Sequence, residues 1–262
     1  MTSTQKKYPI AERFLSVQGE GLYTGAQMYF IRFAGCSVGK KLSNEERASY
    51  ASKNPQFHEK VAMVQLEKRS IDELIPVYTE KCCTYDGREF LCDTDFRTKE
   101  TMTMQDIMAS IPQGVARICL TGGEPLMHKI GSLLSFIGYS TAYELHIETS
   151  GTIDIKEVWE EYEEEDNDDR AGQNWLWITV SPKFGTKPEM LRLANEIKLL
   201  VDDNFSVDKI PKEVLEKSLV WLQPVNNEND IIDRNLQRCL QLQKEHPTWR
   251  ISTQMHKIWK VR

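Results

Sequence analysis

The sequence has no apolar run approaching the roughly 20 residues that a membrane-spanning helix needs. Its opening stretch, Met1 to Lys7, is polar and lacks the apolar core of a secretion signal. Basic charge is not in excess: the net charge is −6 and the pI about 5.5, which argues against a generally basic surface that would attract nucleic acid. The paired Cys-x-x-Cys or Cys/His hooks that frame a structural zinc ion are missing, and there is no internal repeat. These absences lead us to expect a soluble, cytoplasmic protein with neither a membrane nor a nucleic acid as partner.

What is present is a chain of 262 residues with 40% hydrophobic content, enough for one domain (1–262) with a sizeable core. Apolar, β-rich runs alternate with helical patterns. Strands are expected at Met28–Phe33, Ala116–Leu120, Glu144–Glu148, Leu176–Val180, Glu196–Val201, Leu219–Leu222 and Arg250–Thr253. Helices are expected at Met104–Ile111, Ile130–Ile137, Ile155–Tyr162, Pro188–Leu193, Lys212–Lys217 and Asp230–Glu245. This alternation predicts parallel βα units, and the strands read as nearly uniformly apolar, as in a sheet covered by helices. The segment 40–81 breaks the pattern with mixed charge and little periodicity. It reads as an insertion, partly helical near Ser70–Tyr78, that forms either a solvated excursion or a lid or partner contact. The acidic run Glu160 to Asp169 reads as a solvated helix end and loop.

There are six cysteines. In a reducing compartment, clustered thiols point to metal or catalysis before disulfides. Cys119, inside the apolar run Ile118 to Leu120, reads as a buried core thiol, and Cys239, on a polar helix, as incidental. Cys36, Cys82, Cys83 and Cys92 remain. Cys36 follows the first expected strand, Thr121 to Pro125 the second and Thr149-Ser150-Gly151 the third. Ser181-Pro182-Lys183, Gln223-Pro224 and Gln254-Met255-His256 follow later ones. The C-terminal ends of parallel strands form the ligand face of such folds, so six polar motifs at those ends predict one site. Adjacent glycines at Gly122-Gly123 would let backbone approach a ligand without a Cβ in the way. Arg32 carries a planar guanidinium suited to a carboxylate.

Taken in order, Gln18-Gly19-Glu20-Gly21, Cys36, Cys92-Asp93-Thr94 and Thr121-Gly122-Gly123-Glu124-Pro125 resemble the radical S-adenosylmethionine enzymes. More narrowly, Phe14 to Gly21, Gly25, Phe30 to Phe33 and Gln254 to Lys257 are similar to the 7-carboxy-7-deazaguanine synthases. The resemblance covers residues 8–36 and 82–151, and more loosely 175–262. It implies a partial (β/α) barrel with an insertion between the first and second cluster cysteines. It also implies conversion of 6-carboxy-5,6,7,8-tetrahydropterin to 7-carboxy-7-deazaguanine with release of ammonia, in deazapurine (queuosine-type) biosynthesis.

The implied cofactors are a [4Fe–4S] cluster, S-adenosyl-L-methionine and Mg2+. Cys36 and Cys92 would hold the cluster together with Cys82 or Cys83. Cys82 is favoured by its likeness to Cys-x-x-x-Asp-Gly-Arg versions of the motif. Thr94 would ligate magnesium, a cation that prefers hard oxygen ligands. Leu91, Asp93, Gly122, Gly123, Glu124, Thr149, Ser150, Gly151, Ser181, Lys183, Gln223, Pro224, Val225 and Asn226 would bind S-adenosylmethionine, with the Glu124 carboxylate toward its ammonium. Val17, Gln18, Gly19, Glu20, Arg32, Thr121 and His256 would bind the pterin, and the terminal carboxylate of Arg262 would reach it. No catalytic side chain is assigned, because the reactive species arises at the cluster. An electron donor such as flavodoxin or ferredoxin and a homodimeric state are further implications.

The cysteine spacing departs from the usual pattern: position 40 is lysine and position 89 is glutamate. Two other readings therefore stand beside the first. One is a different radical enzyme that abstracts hydrogen from a protein partner. The other is a metal-stabilised regulatory protein without catalysis.

Overall fold

A computed structural model describes residues 6–41, 43, 80–92, 94, 97–139, 143–159, 176–226 and 232–261. The helix expected near Ser70–Tyr78 and the acidic run Glu160 to Asp169 lie outside the described residues. Twelve strands are named here: β1 (Lys7–Val17), β2 (Gln27–Phe33), β3 (Lys40–Lys41), β4 (Glu80–Cys83), β5 (Glu89–Leu91), β6 (Glu100–Thr103), β7 (Arg117–Gly122), β8 (Glu144–Thr149), β9 (Leu176–Val180), β10 (Glu196–Val201), β11 (Val220–Pro224) and β12 (Arg250–Ile251). The helices are α1 (Met104–Ala109), α2 (Gly131–Tyr139), α3 (Ile155–Trp159), α4 (Pro188–Leu193), α5 (Lys212–Leu215), α6 (Asp233–Glu245) and α7 (Met255–Trp259).

Nine strands form one sheet in the order β12-β11-β10-β9-β8-β7-β2-β1-β6. From β2 to β12 every pairing is parallel. Only β1 runs antiparallel, to β2 and to β6. The parallel part follows from the βα alternation, because a parallel strand pair needs a long crossover and a helix supplies it. The seven strands expected from the sequence are present as β2 and β7 to β12. The eleven-residue β1 contains the Phe14 to Val17 motif and carries it along the edge of β2.

The strands are not uniformly apolar, which corrects the sequence reading. Successive side chains of a strand point to opposite faces, and here the two faces differ. One carries Ile31, Phe33, Ile118, Leu120, Ile147, Ile197 and Leu199. These pack against Leu133, Leu134 and Ile137 of α2, Met190 of α4 and Leu242 of α6. Burying one such side chain fully contributes roughly 1.5–3 kcal/mol, so this helix-covered face is the main source of cohesion. The intervening positions are Thr121, Glu148, Thr179, Lys198 and Gln223, with Met28, Phe30 and Cys119 as a small apolar group toward β2. Tyr23, His146 and Trp177 stack edge-on at centroid distances of 4.4 and 5.0 Å on that second face. Cys239 is fully buried in the main core, so it packs as a core thiol and is not an incidental surface residue.

A small second sheet, β3-β4-β5, lies where the cysteines cluster. Lys40 pairs with Lys81 and Lys41 with Glu80, so the chain leaving Cys36 returns beside its point of departure. The β4–β5 turn is tied by the Thr84 hydroxyl, which donates to Asp86 (2.6 Å) and accepts from the Arg88 backbone N–H (3.1 Å). Arg88 Nη1 lies 2.7 Å from Asp202, just past β10, and this anchors the small sheet to the large one.

Candidate active site

The parallel strands end in a cavity of about 520 Å3. Cys36, Cys82, Cys92 and Thr94 all line it. The neighbours differ: Cys82 lines this cavity as well as an adjoining one of about 180 Å3, whereas Cys83 lines only the adjoining one. The Cys36 sulfur accepts from the backbone N–H groups of Val38 (3.4 Å) and Gly39 (3.2 Å). Burial pushes the Cys82 thiol upward, with the nearby Lys183 acting against it. Among the described residues no three His, Cys, Asp or Glu side chains stand close enough to hold one metal ion. A thiol-only donor set spread around one void suits soft iron–sulfur chemistry, in which the cluster's own bulk separates its ligands.

The glycine pair explains how the first cysteine is seated. Gly123 N–H donates to Phe33 O (3.1 Å) and Glu124 N–H to Gly35 O (3.0 Å). A Cβ on Gly123 would lie 1.7 Å from Gly35 O and 3.1 Å from Cys36 Cβ. Gly122 has φ 120°, and its Cβ would meet Phe33 O at 2.3 Å. Both glycines line the cavity, as do Thr149, Ser150, Ser181 and Lys183. Glu124 and Gly151 do not. Glu124 is fully buried, and its carboxylate accepts from Thr149 Oγ1 (2.7 Å), from Ser150 N (2.9 Å) and Oγ, and from Leu126 N (3.2 Å). Burial raises its pKa, and these four hydrogen bonds oppose the rise. In this geometry Glu124 braces the loop that presents Thr149 and Ser150, and does not itself reach the cavity.

The N-terminal motif and the C-terminal segment meet across the cavity. Met255 N–H donates to Gly19 O (3.0 Å), and a Cβ on Gly19 would lie 2.2 Å from His256 Nδ1. Gly21 N–H donates to Ser252 Oγ (3.3 Å). Val17, Gln18, Gly19, Glu20 and His256 all line the cavity, with Thr121 between them. Arg32 lines it too, 3.4 Å from Glu12 and 5.2 Å over the Phe14 ring. Gln223, Pro224, Val225 and Asn226 line the far side. The side-chain oxygens of Gln223 and Asn226 are buried without a hydrogen-bond partner among the described residues. Two orphaned acceptors on a cavity wall fit a ligand that brings N–H donors. Asp93 and Arg262 lie outside the described residues, and of Leu91 only the backbone, in β5, is described.

At the centre stands a charged group of Lys198, Glu20 and Glu148, drawn from three separate parts of the chain. Lys198 Nζ, from β10, donates to Glu20 Oε2 (2.6 Å) and to Glu148 Oε1 (3.0 Å) of β8. Gln223 (3.0 Å) and Gln254 (3.1 Å) donate to Glu20 Oε1. Gln18 donates to Glu148 Oε1 (3.1 Å), and Thr121 to Glu148 Oε2 (3.0 Å). Burial works against ionisation of Glu148, but Lys198 and the donated hydrogen bonds outweigh it and hold its pKa at about 2. Glu20 is lowered in the same way, with burial and Glu148 opposing Lys198. Burial disfavours the Lys198 ammonium, and the two carboxylates more than reverse that effect.

No family model matches the chain. The 7-carboxy-7-deazaguanine synthase of Buchnera aphidicola subsp. Schizaphis graminum is 29% identical over 265 residues, spanning 97% of this chain and 99% of that protein. Proteins of the same name from Prochlorococcus marinus and Escherichia coli K12 are 26% and 27% identical, over 95% and 97% of this chain and 96% and 99% of theirs. The chain is a homologue of the 7-carboxy-7-deazaguanine synthases. The crystal structure of QueE from Escherichia coli has a similar fold, with TM-score 0.55 and 22% sequence identity over 94% of this chain and 93% of that one.

Sequence reasoning missed Glu148 and Lys198. It looked for polar residues just past strand ends, and these two sit inside strands. The signal was the alternation in Glu196-Ile-Lys198-Leu-Leu200 and His146-Ile-Glu148, where a charge at every second position of an apolar run marks the face that helices do not cover. Glu196 belongs to the framework. Its carboxylate accepts from Leu22 N (2.9 Å), Thr179 Oγ1 (2.9 Å) and Trp221 Nε1 (2.8 Å), which pins the loop that carries Glu20.

Proposed function

We propose that the chain is a lyase that forms 7-carboxy-7-deazaguanine from 6-carboxy-5,6,7,8-tetrahydropterin with release of ammonia. The observation that carries this reading is the meeting of Gln18 to Glu20, the cysteine wall, the Gly122-Gly123 turn and Gln254 to His256 around one cavity. Similarity to the named synthases over almost the whole chain supports it. When bound, the iron–sulfur cluster and S-adenosylmethionine supply hydrogen-atom abstraction, and magnesium supplies a cation for the substrate carboxylate.

In this reading Cys36, Cys82 and Cys92 hold the cluster and Thr94 offers magnesium a hard oxygen. Gly122 and Gly123 give cofactor access to backbone, while Ser181, Lys183 and Gln223 to Asn226 line its far wall. Arg32 has five N–H donors; its contact with Glu12 leaves others for the substrate carboxylate. Glu20 and Gln18 address the pterin edge, and Phe14, Phe30 and Phe90 provide apolar wall that keeps water from the reacting centre. A partial barrel, a homodimer in the cytoplasm, a flavodoxin- or ferredoxin-like reductant and a place in queuosine-type biosynthesis belong to the same proposal. Among the described residues no helix is long and apolar enough to cross a membrane.

The test is anaerobic reconstitution with iron and sulfide, then reductant, S-adenosylmethionine, magnesium and 6-carboxytetrahydropterin, with product read by mass spectrometry. The expected outcome is 7-carboxy-7-deazaguanine. Cleavage of S-adenosylmethionine without that product would remove the substrate assignment. A protein that takes up no cluster would remove the enzyme assignment altogether.

A further inference from the structure

Lys198 is a lysine in the middle of a buried strand, 4% exposed, yet it faces the cavity and not the core. It touches two carboxylates from distant elements: Glu20 in the β1–β2 connection and Glu148 within β8. The other side chains bonded to this pair, Gln18, Thr121, Gln223 and Gln254, all present N–H or O–H donors to it. Charged and titratable groups facing Lys198 include Glu196 on its own strand, Cys119 on β7, and His256 of α7 beside Glu20.

We propose that Lys198 is a positioning residue that fixes Glu20 and Glu148 side by side as two hydrogen-bond acceptors for the amino and ring N–H edge of the pterin. The inference rests on the function proposed above. Without the lysine, two carboxylates sharing one buried site repel, and one of them takes a proton or turns away. With it, the group keeps one net negative charge and two acceptors. Each carboxylate accepts three hydrogen bonds from protein donors, below the roughly four lone-pair sites it offers, so acceptor capacity remains on both. A pterin presents its 2-amino group and adjacent ring N–H as neighbouring donors. Its 2-oxo counterpart, a lumazine, presents a carbonyl there, and a carbonyl facing a carboxylate cannot be paired. A fixed acceptor pair therefore selects pterin over lumazine by what it rejects as well as what it binds.

The experiment compares binding of 6-carboxypterin and lumazine-6-carboxylate to the reconstituted protein by equilibrium dialysis. The wild type, Lys198→Met, Lys198→Arg and Glu148→Gln are measured, each alongside its melting temperature. The wild type is expected to prefer the pterin by about tenfold or more, the factor for one hydrogen bond to a charged group. Lys198→Met should bring the two ligands to within about twofold, and Lys198→Arg should restore part of the preference. Glu148→Gln leaves Lys198 paired with Glu20 and replaces one acceptor with a mixed amide. It should lose the preference as well, and it carries the test if Lys198→Met does not fold. A folded Lys198→Met or Glu148→Gln protein that keeps the full preference overturns the role of Lys198. A wild type that binds neither heterocycle overturns the function itself.

Discussion

At the scale of single residues, the site depends on groups whose side chains never meet a ligand. Gly123 is one. Its missing Cβ lets the Gly35 carbonyl lie against it, and Cys36 follows directly on that carbonyl. We expect Gly123→Ala to displace the cysteine loop. Overpacking of this kind costs about 1–3 kcal/mol, and the bound iron per protein should fall with it. Calorimetry and iron analysis check both; a full iron content in a folded variant would refute the coupling.

Glu148 makes a second prediction, about pH. Its folded pKa of about 2 lies below the roughly 4.3 of an unperturbed glutamate. A depressed carboxylate contributes stability that is present above the unfolded value and lost as pH falls through the folded one. The wild type should therefore lose stability between about pH 4.3 and 2, and Glu148→Gln should show a shallower acid limb in the same window. Thermal melts across that range check the slope.

At the scale of elements, the two-residue period of β4 decides which neighbour serves the site. Cys82 and Cys83 point to opposite sides of the strand, and only Cys82 shares a cavity with Cys36 and Cys92. Cys82→Ser should abolish uptake of the iron–sulfur cluster, while Cys83→Ser should retain it. Visible absorption and iron content after reconstitution distinguish them, and the reverse result would exchange the two assignments. The short β3–β4 pairing matters for the same reason. It brings Cys82 back toward Cys36 across a long stretch of chain, and the entropy of closing such a loop grows only slowly with its length.

At the scale of the whole molecule, one sheet does two jobs on its two faces. The helix-covered face supplies the core, and the opposite face carries the polar side chains. Because the last helix, α7, packs on the loop of the first motif, residues from both ends of the chain complete one wall. Ending the chain at Thr253 removes Gln254, one of the donors to Glu20, and His256, while leaving every strand of the sheet in place. We expect such a variant to stay folded and to lose at least tenfold in affinity for 6-carboxypterin. Circular dichroism and dialysis check the two halves, and unaltered affinity would show that α7 is not part of the binding wall.

Much of this protein is legible in its sequence. The βα alternation located β2 and β7 to β12, because parallel strands and their crossover helices each impose a period that local sequence must obey. Six motifs at strand ends pointed to one site, and the structure places most of their residues on one cavity. The strand alternation was written in the sequence as well, in Glu196-Ile-Lys198 and His146-Ile-Glu148, but runs this apolar hid it. Other features depended on contacts between residues far apart in the chain. Nothing local distinguishes Cys82 from Cys83 until β4 pairs with β3 and β5. Glu124 looked like a ligand group because its carboxylate sits in a motif, and only packing shows that Thr149 and Ser150 occupy it. The union of Glu20, Glu148 and Lys198 joins residues from the β1–β2 connection, β8 and β10. A one-dimensional pattern records which face a residue takes, whereas the partner it meets there is set by strand order and register.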